Sequence, residues 1–210
     1  MPIIRVEMGS LKEIENDLGQ MKDKSKMALK AAINETARDL KKRLMSGARN
    51  RYKMSNEMRG KMTGANKVKS ATTSRLEAEL TITSGIGELY GYDVKPRGYV
   101  PGGRGRGTST SGRVLKGSGY KQLALGSSGT DQYKAFVVKY KSGHIAVAQR
   151  VPGKRMKGGH KEAIKSLMAN SITKNEEIVY REEEEAEMED RLAEAIHRQV
   201  ERYLPVSSGF

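Results

Sequence analysis

The 210-residue sequence contains no cysteine, no tryptophan and only two phenylalanines. The missing cysteine excludes a disulfide framework, a thiolate metal site and a cysteine nucleophile, and it fits synthesis in a reducing compartment. With so few large aromatics, and 36% hydrophobic residues in all, the core has to be modest and built from Leu, Ile, Val, Met and Tyr. Long apolar runs are missing too. No stretch approaches the ~18 apolar residues that a membrane span needs, and the opening MPIIRVEMGS lacks the apolar run of a signal peptide. The expectation is a soluble protein made in the cytoplasm, with no membrane partner and room for one good core plus an appendage, or two small domains.

Histidine is scarce and scattered. His144, His160 and His197 have no Glu or Asp at metal-ligand spacing, and without cysteine no zinc set can be assembled. His144 falls in a hairpin turn and His197 faces outward on a charged helix. Glu182 to Glu185 is a carboxylate run, but four successive helical carboxylates wrap around the surface and read as a solvated face. GTSTSGRV, Gly107 to Val114, has the two glycines of a phosphate-binding loop, yet Arg113 stands where the phosphate-reaching lysine belongs and Val114 where the metal-binding hydroxyl belongs. No apolar strand leads into it. These features point away from an enzyme, and no cofactor or metal is expected.

Positive charge is what the chain has in excess. Lys and Arg number 39 against 25 Asp and Glu, a formal net charge of +14. Residues 1–175 carry 35 basic and 14 acidic side chains, whereas residues 176–210 carry 4 and 11. The chain therefore reads as a basic body, 1–175, followed by an acidic C-terminal helix, 176–210, used for packing or assembly. A body this basic binds polyanions, because each cation laid on a phosphate releases condensed counterions. Solubility alone is the plainer use of the same charge.

Along the chain, MPIIRVEM reads as a strand and Ser10-Leu-Lys-Glu13 as a capping box. Leu11, Ile14, Leu18 and Met21, then Leu29, Ile33, Ala37, Leu40 and Leu44, recur at helical spacing and predict one long or broken helix from about Ser10 to Ser46. Leu76, Ala78, Leu80 and Ile82 alternate with polar residues as in a half-buried strand, paired with Val68–Thr73. YKAFVVKY and HIAVAQR, joined by Lys141-Ser-Gly143, form a second hairpin. The fold class is α+β: a long N-terminal helix packed on an antiparallel sheet of about four strands, a long basic glycine-rich loop at about 96–130, and C-terminal helices. That loop carries Arg97, Arg104, Arg106, Arg113, Lys116 and Lys121 with Tyr99 and Tyr120 interleaved, a composition able to track a phosphate backbone without reading sequence. Glycine and arginine also serve simply to keep a long loop extended and soluble. On the last helix, Leu192, Ile196, Gln199 and Tyr203 share one face, a candidate subunit interface or a surface that folds back on the chain's own body.

ALKAAINETARDLKKRL (28–44), SGIGELYGYDVKPRG (84–98), AFVVKYKSGHIAVAQRVPGKR (135–155) and the C-terminal amphipathic helix occur in that order. Together they resemble the minor tail protein Z family of tailed bacteriophages, similar in turn to the tail completion and neck proteins of long-tailed phages and prophages. LMANSIT replaces that family's short turn before the last helices, and the basic loop is longer than its usual connection. The resemblance implies a structural virion protein, assembled in the bacterial host cytoplasm. Its subunits would form a ring, of six copies by the resemblance, at the head-proximal end of the tail, next to other tail and neck proteins, supporting head–tail joining and DNA passage. The residues leave a second reading open, a stand-alone non-specific nucleic-acid-binding protein.

Overall fold

The computed structural model describes residues 3–7, 22–99, 110–122, 124–125, 133–159 and 161–203, and the chain forms two compact units. The first comprises 1–48, 62–83 and 176–210; the second comprises 49–61 and 84–175. The expected capping box at Ser10, with Leu11, Ile14, Leu18 and Met21, lies outside the described residues, as do Arg104, Arg106 and His160.

The first unit is helix on sheet. Strands β1 (Ile3–Glu7), β2 (Asn66–Lys69) and β3 (Glu77–Ile82) make an antiparallel sheet in the order β1-β3-β2, with Arg5 opposite Glu79 and Val68 opposite Leu80. The period-two pattern holds residue by residue in β3, where Ala78, Leu80 and Ile82 are buried and the residues between them are not. Helix α1 (Lys22–Arg51) buries Leu29, Ala32, Ile33, Ala37, Leu40 and Leu44 along one stripe. Ile33 and Ala37 join Ala71 and Ala78 in a core to which Leu192 of the C-terminal helix α4 (Met188–Tyr203) contributes. Asn34 fixes the strand connection by donating from Nδ2 to Ala71 O at 3.2 Å and accepting Ala71 N–H at 2.8 Å.

Helix α1 runs past Gly47, where the spacing rule expected it to stop. Gly47 is not a terminator but a point of close approach. A Cβ there would stand 2.6 Å from Val179 Cγ1 at the end of α3 (Ile172–Val179), so only a bare Cα admits that side chain. Between α3 and α4, a π-helical turn at Tyr180–Glu184 shifts the angular phase of the carboxylate run. Glu184 is consequently buried and bonded by Arg191, which also holds Glu187, while Glu182, Glu183 and Glu185 stay exposed. The run is thus only partly a solvated face.

The second unit also contains helix α2 (Asn56–Ala65) up to Lys61, and three antiparallel sheets: β4 (Asp93–Lys95), β5 (Ser111–Arg113) and β6 (Lys121–Gln122); the pair β7 (Ala124–Leu125) and β8 (Tyr133–Lys134); and β9 (Phe136–Lys139), β10 (Ile145–Arg155) and β11 (Glu162–Ser166) in the order β11-β10-β9. The two hairpins expected from sequence therefore lie in separate sheets. The β9–β10 hairpin turns where predicted, with Gly143 at φ +85° and Tyr140 N–H bonded to His144 O at 2.8 Å. Leu89, Val94, Ala135 and Val147 form the core of this unit.

One expectation is corrected here. Residues 96–130 are not one open loop: β5, β6 and β7 lie within them, because Ser111–Arg113 finds a ladder partner in Asp93–Lys95. The apolar stripe of the acidic segment 176–210, expected to serve packing or assembly, packs in the core under α1.

Candidate nucleic-acid interface

Charge also divides between the two units. The second unit holds 22 Lys and Arg against 5 Asp and Glu, while the first holds 17 against 20. Among the described residues, two groups of these cations stand together.

One is the outer face of β4-β5-β6. Alternation along β4 sends Val94 into the core and puts Asp93 and Lys95 on the opposite face. The β4–β5 register sets Arg113 across from Asp93, and its Nε donates to Asp93 Oδ2 at 2.9 Å. Tyr120 Oη donates to the same oxygen at 2.7 Å, and its ring lies beneath Lys95 Nζ (4.3 Å) and the Arg113 guanidinium (4.8 Å). Partial burial works against the Asp93 carboxylate. The hydrogen bonds from Tyr120 and Arg113, with the charges of Arg113 and Lys53, nevertheless hold it below the usual range. The acid is thereby consumed as a clip that fixes the tyrosine and arginine. Backbone bonds from Lys53 N–H to Val114 O (2.7 Å) and Lys116 N–H to Arg51 O (3.0 Å) bring the 51–53 segment alongside, adding Arg51 and Lys53.

The sequence-predicted residues divide accordingly. Arg113 and Lys121 belong to this sheet, and Lys116 is exposed on the turn beside it. Arg97 is partly spent, donating to Tyr92 O at 3.1 Å and lying over the Tyr90 ring at 5.4 Å. Arg51 and Lys53 were missed because their contribution depends on backbone bonds between segments some sixty residues apart, and Lys95 because it depends on the β4–β5 ladder. The near phosphate loop at 107–114 ends in strand β5, with Arg113 tied to Asp93, so its described part has no loop-to-helix geometry.

The candidate interface residues of the last helix are engaged within the chain. Leu192 is buried, Ile196 packs on the same core, and Gln199 Nε2 donates to Glu35 Oε2 at 2.7 Å beside an Arg198–Glu35 ion pair. The Gln199 bond, against the cost of burial and with help from Arg198, lowers the Glu35 carboxyl. Tyr203 lines a groove of about 660 Å³ between α1 and α4 with Arg38, Lys42 and Arg202. The apolar part of this face thus covers α1.

The histidines have local roles. His144 stacks on Tyr140 and pairs with Glu88 at 2.9 Å, and His197 is exposed beside Glu201. No group of three or more His, Asp or Glu side chains among the described residues is placed to hold a metal ion. No helix among the described residues is long and apolar enough to cross a membrane. No protein-family model, curated protein or solved structure matches the chain.

Proposed function

We propose that this chain is a structural subunit of a phage tail neck, a tail completion protein of the minor tail protein Z type, that assembles as a ring and makes sequence-blind contacts with the DNA passing through it. The observation that carries the reading is the concentration of 22 cations against 5 acids in one unit, with Asp93 already neutralised by Arg113 and Tyr120. Cations set on a sheet above a tyrosine ring suit phosphates and offer no geometry that distinguishes one base from another. Weak contacts also suit a conduit, since tight binding would stall the passage of DNA.

Assembly needs a complementary surface. With the apolar stripe of α4 occupied, the exposed carboxylates Glu185, Glu189 and Asp190 are the groups left to meet the basic unit of a neighbour. Negative-stain images of the purified protein are expected to show closed rings, which Glu185→Lys, Glu189→Lys and Asp190→Lys together dissolve without unfolding the subunit. A monomer by imaging and light scattering at virion-like concentrations would sink the ring. The occupied stripe itself favours the second reading, a stand-alone nucleic-acid-binding protein, and that reading expects the monomer together with salt-sensitive DNA binding.

A further inference from the structure

The second concentration of cations lies in the β10–β11 hairpin. From Arg150 to Lys161 the sequence RVPGKRMKGGHK carries five Lys and Arg and no acid. Within one strand, Ala146 to Gln149 are buried whereas all residues from Gly153 to Gly159 are exposed. Strand β10 thus continues well beyond the core that justifies its first half. A two-stranded ribbon without a packed face is marginal in water, so its persistence needs a specific scaffold.

That scaffold is on the page. Arg155 pairs with Glu162, and Arg150 with Ile164, so four residues of β10 bulge against one of β11 and bend the ribbon. Met156 N–H donates to Lys161 O at 2.8 Å, Gly159 N–H to Met156 O at 3.0 Å, and the Arg155 guanidinium to Gly159 O at 2.9 Å. Gly153, Gly158 and Gly159 all have positive φ, and a Cβ on any of them would meet open space. Here glycine serves the turn and leaves the tip bare. Arg150 is committed to Glu162 and to the Phe136 ring, but Lys154, Lys157 and Lys161 form no ion pair with any described residue.

We infer that this ribbon is a duplex-DNA contact element that lies along a groove and lays Lys154, Lys157 and Lys161 on phosphates; the inference rests on the reading of this unit as DNA-facing. A two-stranded β-ribbon fits the major groove of B-DNA, which is about 12 Å wide. Lysines are point charges, Arg155 is tied to its own turn, and no Asn or Gln occurs between residues 150 and 161, so the ribbon positions itself on the backbone without reading bases. RNA is the poorer fit, since the major groove of its A-form helix is too narrow for side chains to read.

The test is fluorescence anisotropy of the full-length chain with two 20-bp DNA duplexes of unlike sequence, from 50 to 200 mM salt. The triple variant K154A/K157A/K161A is expected to lower the slope of log affinity against log salt by about 2.7, at ~0.9 per phosphate, equally on both sequences. Between those salts this amounts to roughly a fortyfold smaller loss of affinity. K116A/K121A provides the comparison at the β4-β5-β6 face. Wild-type protein that fails to bind either duplex overturns this inference and the DNA-facing reading together. Wild-type binding with an unchanged triple variant, a loss confined to one sequence, or tighter binding of duplex RNA than of DNA each overturns the ribbon inference alone. The same holds for a triple variant that binds DNA normally but no longer forms rings, because the lysines would then meet the carboxylates of another copy.

Discussion

Helix α4 and the β10–β11 ribbon are both stretches rich in charge, yet they are used in opposite ways. In α4, Leu192 and Ala195 are buried and Ile196 packs with them against α1, so a surface that resembles an interface closes the core. In the ribbon, a strand that begins in the core ends in solvent with its lysines unpaired by any described residue. The difference teaches where to look for function in a chain of this kind. An apolar stripe has a local use whenever the chain's own helix lies within reach, whereas ordered backbone extending past its core has no stabilising role of its own.

The largest effect should come from putting the same substitution in both places. Leu192→Asp buries a charge against Ile33 and Ala37 and should cost on the order of 4 kcal/mol, enough to unfold the first unit in urea titrations. Lys157→Asp, on an exposed turn, should shift the midpoint hardly at all. Equal shifts would break the comparison.

The second unit is not bare throughout, and Tyr92 sharpens that point. Its ring is fully buried, its hydroxyl donates to Asn170 O at 2.6 Å and accepts from Asn175 Nδ2 at 2.7 Å, and burial pushes its pKa up to about 12 despite the Asn175 bond. Above the unfolded value of about 10 the unfolded chain loses this proton first, so stability falls as pH rises. About 2–3 kcal/mol should be lost between pH 10 and 12, and Tyr92→Phe should flatten that loss while costing about 1–2 kcal/mol at neutral pH. Chemical denaturation at pH 8, 10 and 11.5 checks both.

Glycine gives the next contrast. Gly47→Ala favours a helix by propensity, yet the added methyl meets Val179 at 2.6 Å, and a β-branched side chain has few rotamers with which to yield. A net loss of about 1–2 kcal/mol in thermal or urea unfolding is expected. A gain in stability would mean that the close approach of α1 to Val179 is not required.

Much of this fold was legible because its signals are local. The α1 stripe, the alternation in β3 and the Lys141-Ser-Gly143 turn are periodicities or turn chemistry that a few neighbouring residues determine. The helix overran its predicted end because Gly47 answers to Val179, more than a hundred residues away. Strand β5 was hidden in a glycine-rich run because its partner is Asp93–Lys95 and nothing in Ser-Gly-Arg itself favours a strand. The candidate site was half legible. Arg113, Lys116 and Lys121 stood out by composition, whereas Arg51, Lys53 and Lys95 join them only through the β4–β5 ladder and the backbone bonds beside it, and the ribbon lysines were passed over because a short hairpin with a Gly-Gly turn is unremarkable in sequence.

The smallest predicted effect is a null result with a definite meaning. Lys154, Lys157 and Lys161 are exposed, and the tip they decorate is held by backbone bonds and by Arg155. Replacing all three with alanine removes three cations from a segment of five with no acid among them, which relieves repulsion and breaks no contact. The melting temperature should therefore stay within the shift of about 0.5 kcal/mol that surface substitutions produce, or rise slightly at low salt. If instead the variant melts well below the parent, the lysines contribute to folding, and the contrast between a closed helix and an open ribbon does not hold.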